Sequence, residues 1–384
     1  MIISSEFFRR LAGASVLVAL IGTPAASAPP LKPAFDIAAV KALIGRPQHQ
    51  PACREAAPPV TDMGGFKSAY DPKDPTQSKV DAARAASEKA RNAAFDGFVK
   101  GIDKLADRAL LSTPANPDIA HCLFSNIATW ARSGAMLQNI DANDDMGRHQ
   151  AIMMQVWYGA GLANAALKSG GLDAARPEDR QAVRDWFAAL SNSIIAEFPQ
   201  NSIWLKKHNN HAYWAAYALS VMGVLLQDQA VFEFGRPILS EALLSTDEDG
   251  ALPSEMWRGE RAYMYQQFAT LPVVGQVVLY AANGIALTQE EKNALYRILA
   301  FNAAAVANPL MVEKYSKVKP VITTNSYDFA WIDMSAAYLL RENPDLAKKL
   351  ETVASRKGMR PAWHIYLGGS VTETYNPQAS AKRK

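Results

Sequence analysis

Residues 215–226, AAYALSVMGVLL, have helical composition and are apolar on every face. A helix of this kind has no side to turn to water and must be covered all round. Helical periodicity recurs over 77–110, 117–138, 145–168, 178–197, 210–226, 228–245, 255–283, 289–306, 328–341 and 344–357. The turn signals KSGGLD, FPQNS, DEDGALP and ENPD separate these segments, and Asn343-Pro344 marks a helix start with proline in the first position. A two-layered toroid of helical hairpins supplies an inner ring covered on both sides, which a surface bundle does not. No repeat of fixed period is visible, which argues against a solenoid. The expected class is therefore all-α. Residues 29–76 are too rich in proline for long helices, so a short helix near 35–45 followed by loop is expected there. WHIYLGGSVTETY near the end reads as a short β-hairpin with Gly368-Gly369 at its turn.

At 384 residues, 49% hydrophobic and 20% charged, the chain has the material for a large core and is not a disordered polymer. A formal charge of +3, with no basic block beyond the terminal AKRK, gives no footprint for nucleic acid. The start reads as a secretory leader: Arg9 and Arg10, then the short apolar run LAGASVLVALIG, then small residues. Cleavage is expected after Ala28 or Ser27. Removing residues 1–28 leaves a charge of about +2 and no segment that spans a membrane. The expected location is periplasmic or secreted. In such a compartment Cys53 and Cys122, the only cysteines, can form one disulfide. Closing a loop of that length contributes about 3–5 kcal/mol.

Two clusters stand out. LKKHNNHAYW, residues 205–214, places His208, His211 and Trp214 three apart at the head of the apolar helix. Asn209 or Asn210 suits the N-cap, and Lys206 and Lys207 suit a solvated turn. The helix start also offers free N–H groups and a positive dipole end to an anion. The spacing is not that of a zinc-binding helix, and no cysteine or carboxylate completes a metal set nearby. The second cluster, LPSEMWRGERAYMYQQF, carries Arg258, Arg261 and Tyr265, which share one face if the segment is a continuous helix. That stripe is either a surface face paired with Glu255 or Glu260, or a cationic setting that favours a phenolate. Asp247, Glu248, Asp249, Glu255, Asp328 and Asp333 are available for a carboxylate pair, but none is marked by context. No nucleophile elbow, phosphate loop or dinucleotide fingerprint occurs.

KKHNNHAYW and LPSEMWRGERAYMY together resemble the alginate lyases of polysaccharide lyase family five. CLFSNIATWARSGAM (122–136), FAWID (329–333) and YLGGSVTETYNP (366–377) add to the likeness in the same order along the chain. The resemblance implies an incomplete α/α toroid with a tunnel-like cleft. It also implies β-elimination on a polyuronate, chiefly mannuronate-rich alginate, without a cofactor. Asn210, His211 and Arg258 would then neutralise the uronate carboxylate so that it accepts the charge of the C5 carbanion. Tyr265 would act as base and acid, and His211 would support its phenolate or serve as base on the opposite face. Trp214 would be a platform for a sugar ring, with Lys207, Arg261 and Tyr366 as further substrate contacts. The family's early cysteine pair is matched by Cys53 and Cys122.

Two departures accompany the likeness. The cleft loop reads GGFKSAYDPKD, with Ala69 where the family has a lysine and Lys67 two residues earlier. The family's RLGG is YLGG, which puts Tyr366 in place of an arginine. The expected organisation is a leader (1–28), a Pro-rich segment with the cleft loop (29–76), a catalytic toroid (77–375) and a flexible tail (376–384). The expected partner is an anionic polysaccharide bound by a monomer, with neither nucleic acid nor membrane. Rival readings are a lyase for another polyuronate, a non-catalytic polysaccharide-binding protein, and an inverting glycosidase using two carboxylates.

Overall fold

The proline-rich stretch ends at Asp81, whose side chain accepts from the Arg84 N–H and opens the longest helix of the chain. The computed structural model describes residues 29–49, 53–142, 145–197, 209–322, 325–356 and 358–382. The leader and Lys206, Lys207 and His208 lie outside the described residues. Residues 31–384 form one compact unit.

In chain order the elements are α1 (Ile37–Ile44), α2 (Ala82–Leu111), α3 (Pro117–Arg132), α4 (Asp145–Lys168), α5 (Pro177–Glu197), α6 (Asn210–Leu226), α7 (Gln229–Glu233) and α8 (Arg236–Leu244). There follow α9 (Pro253–Met256), α10 (Ala262–Ala282), α11 (Gln289–Ala307), α12 (Glu313–Ser316), α13 (Ala330–Glu342) and α14 (Pro344–Ala354). The chain ends with β1 (Trp363–His364), β2 (Gly369–Ser370), α15 (Val371–Tyr375) and α16 (Pro377–Ala381).

The long helices alternate between two layers of an α/α toroid. Cross-links give the direction of the inner ones. Glu88 meets Gln150 and Asp96 meets Tyr158, both at a separation of 62 residues, so α2 and α4 run parallel. Gln276 meets Tyr213 and Tyr280 meets Ser220, so α6 and α10 do too. The helices α3, α5, α8, α11 and α14 return on the outside. They are tied to one another by polar contacts such as Arg132 to Asp179 and Arg236 to both oxygens of Glu291. Inner helices α4 and α6 are buried along nearly their whole length, as the all-round apolar pattern of 215–226 requires. Because the inner helices share a direction, their N-termini gather at one end of the ring. His149, Asn210, His211 and Tyr265 all lie in or near the first turn of an inner helix, so the fold brings them to the same place.

Several boundaries differ from the periodicity. The first long helix starts at 82, not 77, because residues 69–81 fold back on themselves: Tyr70 bridges Val80, and Asp81 N donates to Ala69 O. The segment 228–245 breaks at Gly235, where a Cβ would meet the backbone of Ala216 at 2.8 Å. The segment 255–283 is three pieces, interrupted at Gly259 with φ +53°. Arg258 therefore caps and Arg261 ends a short 3₁₀ turn, and neither shares a helix face with Tyr265.

The terminal hairpin forms, pairing Trp363 with Ser370 and His364 with Gly369. Its connection is longer than a two-glycine turn: residues 365–367 make a 3₁₀ turn, Gly368 reverses the chain at φ +78°, and Gly369 is already in β2. The hairpin seats on α4, where Gly161 leaves room for the Ile365 carbonyl, and on α2, where Asp107 accepts from Ser370 N. Within the tail, residues 377–381 form a helix, α16, capped by Asn376, with Ala379 buried. Cys53 and Cys122 are joined, with their Cα atoms 5.6 Å apart, tying the Pro-rich segment to α3.

Candidate active site

The head of α6 separates the two asparagines into different tasks. Asn209 is the N-cap, its side chain accepting from the His211 N–H at 3.0 Å. Asn210, freed from capping, gives both its backbone N–H (2.6 Å) and its side-chain amide (2.9 Å) to the two oxygens of Glu255. Glu255 is fully buried. Burial pushes its carboxyl up to about 7, against the opposing pull of the Arg258 cation and the two Asn210 donors. The Asn210 Oδ1 is buried and without a partner among the described residues.

His211 Nδ1 lies 2.8 Å from His149 Nε2 on α4. Burial first, then His149 and the Arg258 charge, hold the His211 imidazole neutral well below the usual range, and burial brings His149 down to about 3. Two neutral rings share one proton across this contact, so its position decides the chemistry. If His149 donates, His211 carries its own proton on Nε2 and is a donor. If His211 donates, its Nε2 holds a lone pair and is a base.

Arg258 and Tyr265, apart in secondary structure, meet in space. The guanidinium carbon of Arg258 lies 3.6 Å from the centroid of the Tyr265 ring. Tyr265 OH is 2.7 Å from the hydroxyl of Tyr70. Burial raises the Tyr265 phenol well above its ordinary value; Arg258 opposes this, and the contact with Tyr70 adds to it. In this arrangement Tyr265 is a neutral acid.

Tyr70 belongs to the cleft loop, which is knit together around Asp74. That carboxylate accepts from the backbone of Thr76, Ser78 and Lys79 and from two hydroxyls. Partial burial works against its charge, but these donors outweigh it and hold the acid well below the usual range. The loop rests on the arginines: Arg258 Nη2 donates to Gln77 O and Arg261 Nε to Ser78 O, each at 2.7 Å, and both cations face the Tyr70 ring. Lys67 is exposed and lines a crevice of about 240 Å³ with Tyr70, Arg84 and Met146.

Trp214 is not a platform here. It is fully buried, packed on His364, Phe268 and Tyr366. The partly exposed aromatics near it include Trp157, Phe268 and Tyr366. Sequence reasoning missed His149, Tyr70 and Trp157, and it took Glu255 as an arginine partner or a member of a carboxylate pair, not as the partner of Asn210. His149 stands at the start of its inner helix as His211 does, and that equivalence was the available signal. Among the other marked carboxylates, Asp247 is used up by the N–H groups of Gly250 and Ala251, and Asp333 by Arg360, Asn376 and Thr372.

A toroid whose inner helix starts converge on guanidinium, amide, imidazole and phenol groups is an enzyme architecture for an anionic chain substrate. The alginate lyase family model matches residues 65–311. An alginate lyase of Pseudomonas syringae pv. tomato is 27% identical over 365 residues, covering 93% of this chain and 90% of that one. One of Pseudomonas aeruginosa (strain LESB58) is 28% identical over 337 residues, covering 86% and 87%. Among solved structures, alginate lyase A1-III from Sphingomonas species A1 superposes with a TM-score of 0.71 at 21% identity, covering 89% of this chain and 95% of that one. The chain belongs to the alginate lyase family and is a polysaccharide lyase.

Proposed function

We propose that the cleft cleaves mannuronate-rich alginate by β-elimination. The observation that carries this reading is the Arg258 guanidinium packed on the Tyr265 ring beside Asn210 and His211. The relatives named above supply alginate as the polymer. In a uronate the C5 proton is acidic only if the neighbouring carboxylate stops repelling the incoming charge. Arg258, the second amide proton of Asn210 and the helix start neutralise it. Tyr265 rests as the phenol; once it has given that proton to bulk water, its phenolate, stabilised by Arg258, takes the C5 proton. The freed electron pair forms the C4–C5 double bond, and the bond from C4 to O4 breaks. The new phenol then protonates O4, which returns the phenolate. In mannuronate the C5 proton and O4 lie on one face, so one group serves both steps. For an opposite-face elimination, His211 in its lone-pair tautomer is the base.

Lys67, Arg261 and Lys207 add positive charge for the polymer, Lys67 from the loop. The steps draw on side chains alone and call for no cofactor. Export to the periplasm or beyond belongs to the same proposal, supported by the leader pattern and by the Cys53–Cys122 bond.

The test is ultraviolet absorbance of unsaturated uronate ends on mannuronate-rich and guluronate-rich polymer. The chromophore should grow faster on the first. Faster growth on the second would overturn the preference, and reducing ends without the chromophore would overturn elimination.

A further inference from the structure

We infer that the wall formed by Trp157 and Tyr366, faced by Glu88 and Asp96 of α2, is a subsite for an uncharged sugar adjoining the cleaved uronate. The inference rests on the elimination reading of the neighbouring site and adds a substrate class to it: chains in which uronate is flanked by a neutral residue.

The wall is continuous with the catalytic groups. The Tyr265 ring abuts Phe268, Phe268 abuts Trp157, and Trp157 lies edge-on to His211 at 6.0 Å. The rings of Trp157 and Tyr366 are nearly parallel, 14° apart, with centroids separated by 5.8 Å. That separation is an offset, so the two rings overlap little; both residues are only partly buried against the core. Tyr158, Trp214 and His364 brace Tyr366 from other sides at 5.3–5.8 Å between centroids. The platform is thus braced and partly exposed, as a surface for the C–H face of a sugar ring should be.

The polar groups around it suit hydroxyls. Glu88, Asn92 and Asp96 recur every four residues on α2 and so share one face. Asp96 is committed, accepting from Tyr158 OH at 2.7 Å and pairing with Lys100 at 3.1 Å. Glu88 is freer, since Gln150 reaches it only at 3.4 Å. Asn92 Oδ1 and Trp157 Nε1 are buried with no partner among the described residues, an acceptor and a donor left over. A neutral sugar offers hydroxyl donors to Glu88 and Asn92 and an acceptor to the indole N–H. A second uronate carboxylate would meet like charge instead. Burial first, then Asp96 and Glu88, already make charge on the Tyr366 hydroxyl unfavourable, and burial raises the Glu88 carboxyl itself.

The experiment uses defined mannuronate tetrasaccharides in which one or the other of the two neighbours of the uronate that loses its C5 proton is carboxyl-reduced to mannose, that uronate itself being left intact. At one of the two positions, reduction should raise kcat/KM about threefold to tenfold over the all-uronate chain, the range for like charges separated by partly screened surface. Salt should shrink that advantage. Glu88→Gln should shrink it too, by improving the fully charged substrate. The subsite is wrong if reduction at both positions lowers kcat/KM or leaves it level, or if neither salt nor Glu88→Gln changes the ratio. If none of the tetrasaccharides yields the ultraviolet chromophore while the polymer does not either, it is the elimination reading that fails.

Discussion

Of the buried polar clusters in this ring of helices, two differ sharply in what their atoms leave over. Around Asp333, on α13, every valence is taken. Oδ1 accepts from Arg360 and Asn376, and Oδ2 accepts from Thr372, whose hydroxyl also receives the Ala362 N–H. Arg360 spends its other nitrogens on Glu351. Around Asn210 and Arg258 the accounts stay open: Asn210 Oδ1 and Arg258 Nε are buried without partners among the described residues. Burying an unsatisfied polar group costs about 1–3 kcal/mol, so such atoms persist where a ligand will complete them. The saturated cluster pins the C-terminal hairpin to the ring; the unsaturated one is where chemistry is expected.

Substitutions should therefore separate cleanly. Arg258→Ala should lower turnover about 10²–10³-fold and weaken polymer binding, a loss out of proportion to the modest fall in melting temperature from its lost Gln77 contact, because its removal takes away both carboxylate neutralisation and the partner of the Tyr265 phenolate. An equal loss of stability would move Arg258 to the structural side.

Glu255→Gln should cost about tenfold in turnover at pH 8 and also change a pH profile. Glu255 titrates near 7 and must be ionised to accept both Asn210 donors. In wild type kcat/KM should rise with pH through about 7, and the glutamine variant should flatten that limb. The stability sign runs the other way. The folded-state pKa is raised above the unfolded one, so the stabilisation by this group is complete below the unfolded value of about 4.5 and is lost as pH rises through 7. The variant should gain in relative stability between pH 5 and 8. A profile identical in the two proteins would remove Glu255 from the site.

Tyr70→Phe deletes the hydroxyl that meets Tyr265 OH but leaves the loop's Asp74 knot, so a loss of about tenfold or less in turnover is expected with binding preserved. Thr372→Val, at the saturated cluster, should leave turnover within about twofold while costing about 1–3 kcal/mol in denaturant unfolding. A turnover defect there would blur the distinction between the two clusters.

The parts legible in the sequence were those governed by local pattern. The all-round apolar run of 215–226 implied a covered inner helix, and the cap chemistry of Asn343-Pro344 placed a helix start where α14 begins. Asn210 was a candidate cap until the family resemblance put it in the site. His211, Arg258 and Tyr265 were singled out from their clusters, although the shared helix face given for the last two was wrong. Gly259 breaks the helix that would have aligned them, and they meet through a turn instead. What pattern could not show was pairing across the ring. Glu255 lies 45 residues from Asn210, His149 lies 62 from His211, and Tyr70 lies 195 from Tyr265. Each joins the site only because parallel inner helices start at one end of the toroid and the loop folds over it. Trp214 misled because its spacing after His211 suggested the same surface, whereas one turn along a fully covered helix is already core.

Tyr265→Phe bears most directly on the site. It removes one oxygen, leaves the ring under Arg258, and should not disturb the fold. If Tyr265 moves the proton from C5 to O4, ultraviolet-detected turnover on mannuronate-rich alginate should fall about 10²–10⁴-fold, with polymer binding and melting temperature close to wild type. Near wild-type turnover in that variant would contradict the assignment of Tyr265 as the group that carries out the elimination.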